Sequence, residues 1–315
     1  MKKVVPSYYK NFHCIADKCK HSCCIGWEID IDDKTKSVYE SVPGDFGIRL
    51  KNSINTENGV SCFALAENDR CPFLNEKGLC DIILNIGEEH LSQICTDHPR
   101  FRNYFSDREE LGLGLCCEEA CRLILSNEEK TELEVIDDLN SDEEFNEFEI
   151  FILDFRNKLF SIVQNRTYSI SDRILFILEL LDVELTQDLI KKCIDSFLNM
   201  EIMYDDWKYL LYRIDNNFLD NNFDSEFEIA FEQILVYFIY RHVSNAENVT
   251  DVVVRSLFSV LSVKIICCIF NMEKGNDSID RFSLLCNICR LYSSEIEYCE
   301  DNTETVLDLI SDFIM

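Results

Sequence analysis

Residues 145–163 read FNEFEIFILDFRNKLFSIV. Within them Phe145, Phe148, Ile152, Phe155, Leu159 and Ile162 recur at steps of 3, 4, 3, 4 and 3. That spacing lays one apolar stripe along a helix and fits no strand, whose faces alternate every second residue. Phe227, Phe231, Ile234 and Phe238 repeat the habit, and Ile174–Leu181 is apolar nearly all round, as a buried helix is. Further helices are predicted over Gln187–Met200, Asp206–Ile214, Val249–Met272, Ser278–Ile296 and Thr303–Phe313. The 194 residues from Arg122 to Met315 hold one glycine, Gly275, and no proline. So long a stretch without breakers is hard to build except from helices.

Toward the N-terminus the composition changes. All four prolines and eight of the nine glycines lie before Cys121, as do most of the cysteines: eleven of seventeen fall at or before that residue. Turn formers and thiols therefore crowd the first part of the chain. The predicted fold class is mostly α. An irregular, cysteine-rich, metal-binding region spans 1–125, with short helices and little sheet, and an all-helical domain spans 126–315. Glu128–Glu149, with eleven acidic residues and Lys130 alone against them, reads as a solvated hinge between the two.

Charge narrows the function. With 30 Lys and Arg against 59 Asp and Glu in 315 residues, the net charge is −29. Such a surface repels phosphate backbones and anionic headgroups, so nucleic acid and membrane surfaces are poor partners, and a lysine-bearing partner is a good one. Val252–Phe270 is apolar enough to suggest a membrane span, but Arg255, Lys264 and three serines interrupt it, and it is expected to be a buried core helix. The first residues, MKKVVPSYYKNFHC, have neither an apolar core nor a small-residue cleavage site, so the expected location is cytoplasmic.

In a reducing compartment seventeen cysteines argue for metal or chemistry rather than disulfides. The first group is CIADKCKHSCCIGWEIDID, carrying Cys14, Cys19, Cys23 and Cys24. The second is dispersed: Cys71 in CPFL, Cys80 in GLC, Cys95 in CTDHPR and Cys117 in LCCEEACRLIL. Thiolates at short spacing, joined by distant thiolates after glycine turns, suit tetrahedral Zn²⁺ or an iron–sulfur cluster, and the spacing does not choose between them. His13 and His21, inside the cluster, are candidates to replace a thiol. In the helical part Cys193, Cys267, Cys268, Cys286, Cys289 and Cys299 are expected to pack as small apolar groups; the Cys286–Cys289 pair merely shares one helix face.

These four blocks, in this order, resemble the flagellin lysine-N-methylase family, within a broader group of zinc- or iron-chelating proteins marked by a Cys-Cys pair. The resemblance covers roughly the first 125 residues. In its last block Cys117, Glu119 and Arg122 match the family pattern, while Cys116, Glu118 and Cys121 stand where Ser, Pro and Ala are usual, and His98 replaces a tyrosine. The resemblance implies methyl transfer from S-adenosylmethionine to lysine side chains of flagellin. It also implies a [4Fe-4S] cluster, with Zn²⁺ as the alternative metal, and Cys14, Cys19, Cys23, Cys24, Cys71, Cys80, Cys95 and Cys117 as the ligand set. No glycine-rich strand–turn–helix for the donor is present; the one G-x-G, Gly112–Gly114, lacks that context.

Around the cysteines the residues suggest roles. WEIDID alternates, so a short strand would put Glu28, Asp30 and Asp32 on one face beside Trp27. Carboxylates beside an aromatic suit a lysine ammonium, and a base is needed because the amine must be neutral to attack. Glu28, Asp30, His98 and Arg100 are the catalytic candidates. Trp27 and Arg100 are the candidate cofactor contacts, the guanidinium gripping a donor carboxylate. The alternative function is a zinc- or iron-binding scaffold without catalysis.

Overall fold

The computed structural model describes residues 1–138, 144–214, 222–275 and 280–314. The chain forms two compact units: a smaller one, His13–Arg100, and a larger one, Met1–Phe12 with Phe101–Met315. The chain opens with strand β1 (Lys2–Pro6). It then enters the smaller unit: α1 (Asp33–Ser41), α2 (Gly44–Asn52), the hairpin β2 (Ile54–Glu57) and β3 (Val60–Phe63), α3 (Asp81–Ile86) and α4 (Gln93–Asp97). Back in the larger unit come β4 (Arg100–Tyr104), β5 (Arg108–Leu113), α5 (Glu118–Leu125) and β6 (Leu133–Asp138). Helices follow: α6 (Glu147–Val163), α7 (Ile170–Leu181), α8 (Gln187–Phe197), α9 (Asp205–Arg213), α10 (Glu228–His242), α11 (Val249–Glu273), α12 (Arg281–Tyr292) and α13 (Glu300–Ile314).

The expectation of little sheet in the N-terminal part is corrected here. The first 138 residues carry a mixed four-stranded sheet, ordered β4-β5-β1-β6, and a separate two-stranded hairpin. Among the described residues no ready-made metal-holding group is formed there. In the larger sheet β1 pairs parallel with β5 and antiparallel with β6. Periodicity hid these strands for a physical reason. In β5 the inward residue Glu110 is wholly buried, because the buried Arg156 of α6 binds both its carboxylate oxygens. Read for hydrophobic alternation, REELGL looks solvent-facing. β6 falls inside the acidic run read as a hinge, so 126–315 is not helical throughout, and its Val135 and Ile136 are exposed. Residues 139–143 of that run lie outside the described residues.

Beyond β6 the helical expectation holds. α8, α9, α11 and α13 match their predicted spans within a few residues. The helix predicted from Ser278 begins at Arg281, residues 276–279 being outside the described residues. In α6 the buried face is Ile152, Leu153, Arg156, Leu159, Phe160 and Val163, rotated from the predicted stripe because the paired Arg156 takes an inward place. In α11 every residue from Ser256 to Val263 and from Ile265 to Phe270 is buried. Its three serines fit there because each hydroxyl donates to the carbonyl four residues back, at 2.6–2.8 Å.

Candidate functional site

In the smaller unit the chain from Cys24 to Cys95 folds over one apolar cluster: Ile29, Ile31, Tyr39, Leu50, Phe63, Phe73 and Ile82, with Cys71 and Leu74. WEIDID lies along β3: the Ile31 N–H donates to the Ser61 carbonyl at 2.8 Å, and the Phe63 N–H to that of Ile29 at 3.1 Å. The predicted alternation holds, with Ile29 and Ile31 buried and Glu28 and Asp30 exposed, but the pairing is an isolated bridge rather than a strand. Asp32 does not serve with them. It caps α1, accepting from the Thr35 N–H at 2.9 Å, and its second oxygen accepts from the Gln93 N–H.

Four cysteines belong to that cluster or pack against it: Cys24, Cys71, Cys80 and Cys95. The Cys71 N–H donates to the Cys24 carbonyl at 2.8 Å. The turn between Cys71 and Cys80 is closed by Asn75, whose side-chain oxygen accepts from the Lys77 and Leu79 N–H groups. Cys95 comes from α4. All but Cys71, which is buried within the cluster, pack half-buried on it, and Cys71, Cys80 and Cys95 each feel the charge of Cys24. Cys71, Cys80 and Cys95 also act on Tyr39, whose buried hydroxyl has no hydrogen-bond partner among the described residues.

The thiols are unequal. A hydrogen bond from Cys23, aided by Ser22 and the Arg70 charge, lowers the Cys24 pKa to about 7 against the cost of burial. Burial pushes Cys71 up to about 12 and Cys95 to about 11, and raises Cys80. Cys24 is thus the most acidic of the four thiols. Among the described residues no three His, Cys, Asp or Glu groups already stand where one ion would bridge them. The donor chemistry nonetheless fits a soft metal: four sulfurs at the edge of one apolar cluster, three of which need a cation to release their protons.

The other predicted residues lie around this set. Cys14 and Cys23 are exposed and Cys19 is half-buried, its thiol 3.3 Å from the His21 carbonyl. The Trp27 indole donates to the Cys23 carbonyl at 2.6 Å, and its ring lies 6.0 Å from the His98 ring. Burial, with the Arg100 charge, lowers the His98 pKa to about 4. Arg100 donates to the Thr96 carbonyl at 3.2 Å. Glu28 is 3.9 Å from the Cys62 thiol.

Cys117 belongs to the larger unit, at the N-cap of α5. One turn on, Cys121 hydrogen-bonds the thiols of Cys286 and Cys289, and its sulfur is 3.4 Å from the Cys286 carbonyl. The larger unit also holds residues that sequence reasoning passed over: Tyr237, Arg241, His242 and Glu297, a polar network inside the helical core, with Tyr298, 41% exposed, at its edge. Glu297 and Tyr298 lie at the end of a π-helical turn, and no periodicity marks such a turn. A cavity of about 760 Å³, lined by Leu125, Phe227, Arg281 and Phe282 among others, contains none of the predicted site residues.

The chain is similar to lysine-N-methylases. Two, from Salmonella choleraesuis (strain SC-B67) and Salmonella typhimurium, are each 27% identical over 130 residues, covering 39% of this chain and 32% of theirs. A flagellar biosynthetic protein, FliU, from Salmonella muenchen is 27% identical over the same length and is covered to 76%. The match thus spans about a third of the length of the lysine-N-methylases. No family model matches the chain, and no solved structure does.

Proposed function

We propose that this chain is a cytoplasmic protein lysine N-methyltransferase that uses S-adenosylmethionine to methylate flagellin and carries a cysteine-held [4Fe-4S] cluster. The observation that carries the reading is the gathering of Cys24, Cys71, Cys80 and Cys95 on one apolar cluster, in a chain similar to lysine-N-methylases. Cys14, Cys19, Cys23 and Cys117 are the other candidate ligands; one [4Fe-4S] cluster takes at most four thiolates of the eight, and fewer if an iron stays open. When bound, the cluster would supply Lewis-acid chemistry at the donor.

The chain's own residues have defined tasks in this proposal. Glu28 and Asp30, exposed beside Trp27, draw the substrate ammonium by charge and by the ring face. Arg100 holds the donor carboxylate. The lysine nitrogen attacks the methyl carbon as the carbon–sulfur bond of the sulfonium breaks, and the ammonium proton must leave before attack. His98, with its pKa near 4, is a neutral imidazole that accepts a hydrogen bond from the amine but is too weak a base to keep its proton. The proton passes directly to solvent, to which Glu28 and Asp30 are exposed.

The test is anaerobic reconstitution with iron and sulfide, followed by incubation with S-adenosylmethionine and flagellin. Brown protein and methyl-sized mass increments on flagellin lysines are expected, both lost in Cys24→Ala. A colourless zinc protein that leaves flagellin unmodified would replace the enzyme with a metal-built scaffold.

A further inference from the structure

The turn Gly114–Cys117, which delivers Cys117 to the start of α5, is held by a polar network, buried at Tyr237 and Glu297 and open to solvent at Tyr298, that no sequence motif announced. The Cys117 N–H closes the turn on the Gly114 carbonyl at 3.3 Å. The Leu115 N–H donates to the Tyr237 hydroxyl at 3.3 Å, and the Cys116 thiol hydrogen-bonds the Tyr298 hydroxyl. A Cβ on Gly114 would overlap that same hydroxyl, so glycine is required for the turn to close on Tyr298.

Behind the two tyrosines stand charges. The Tyr237 hydroxyl lies 3.0 Å from the Glu297 carboxylate and accepts from the Arg241 guanidinium at 2.9 Å. Arg241 also donates to the Glu297 carbonyl at 3.3 Å, and lies 5.0 Å from the Phe101 ring centre and 4.5 Å from that of Tyr298. His242 Nε2 is 2.6 Å from Glu297. Glu297 and Tyr298 reach the turn because the chain makes a π-helical turn at Ser293–Glu297. The Tyr298 N–H bonds the carbonyl five residues back, Ser293, at 3.0 Å. In a regular helix Tyr298 would be rotated by roughly 100° about the axis and would miss the turn. Burying this many charges costs desolvation and contributes little stability, so fixing one geometry is the better account of it.

We propose that Tyr298, backed by Arg241, Glu297 and Tyr237, is a positioning residue that fixes Cys117. The inference rests on the proposed reading only in taking Cys117 as a metal ligand. Three variants test it. Tyr298→Phe keeps the ring over Arg241 and removes the hydroxyl. Gly114→Ala pushes the turn off it. Tyr292→Phe is the matched control, removing a buried hydroxyl that bonds Ser262 at 2.8 Å and does not touch the turn.

Two readouts are taken: the alkylation rate of Cys117 in reduced, metal-free protein, and the rate of iron loss to a chelator in reconstituted protein. Tyr298→Phe and Gly114→Ala should raise Cys117 alkylation by up to roughly tenfold, the size of one net hydrogen bond, and speed iron loss, with helix content unchanged. Tyr292→Phe should do neither. Unchanged Cys117 reactivity in folded Tyr298→Phe overturns the proposal, whatever Gly114→Ala does. If the parent protein takes up no iron yet the alkylation contrast holds, the positioning role stands and the cluster reading falls.

Discussion

Cys24 is the residue whose chemistry differs most from its neighbours'. Its pKa, near 7, lies below the ordinary thiol value of 9.0 because Cys23 donates to it. Folding therefore stabilises the thiolate. That contribution is full above about pH 9 and is lost as the pH falls through 7. In metal-free protein, Cys24 should alkylate with a midpoint near pH 7, while Cys71 and Cys95 stay silent until about 12 and 11. Peptide-resolved alkylation across pH measures this, and equal midpoints for the three would refute it. A second prediction concerns the buried Arg156–Glu110 pair. Arg156→Ala strands a wholly buried carboxylate and should cost about 3–5 kcal/mol in chemical denaturation. Neither feature was legible in the sequence. The cysteines announced themselves by spacing, but which of them meet depends on turns such as Asn75–Leu79, and burial of an arginine depends on a partner 46 residues away.

Among the elements, helices were readable and strands were not. α6, α8 and α11 carry their signal within themselves, as apolar spacing and the lack of breakers. β1, with five residues, and β5, with a buried carboxylate, become strands only through one another and β6. The G-x-G at Gly112–Gly114, which matched no nucleotide loop, has a packing cause. A Cβ on Gly112 would overlap the Phe101 ring, just as one on Gly114 would overlap Tyr298. Gly112→Ala must displace that ring from β5, and a cost of about 1–3 kcal/mol is expected as a lowered melting temperature. Inside α11, Leu257→Ala should cost about 2–5 kcal/mol by leaving a cavity. Ser259→Ala should cost far less, since its hydroxyl only bonds its own helix.

At the scale of the molecule the two units differ in what holds them. Among the described residues the smaller unit buries nine side chains in its core and the larger sixty. A core that small needs a staple, and the proposed metal supplies one. Chelation of reconstituted protein should therefore raise amide hydrogen exchange across 13–100 and leave α10 and α11 protected; uniform exchange across both units would contradict it. The smaller unit is also an insertion, for the chain leaves the larger unit at Phe12 and returns at Phe101. This has a consequence in time. β1 emerges from the ribosome about a hundred residues ahead of β5, its parallel partner, and further still ahead of β6. At ~5–20 residues per second, β1 waits on the order of 5–20 s with both hydrogen-bonding edges bare. Lys2 and Lys3, at the head of that strand, are the kind of charge that keeps a waiting edge from recruiting a neighbouring nascent chain.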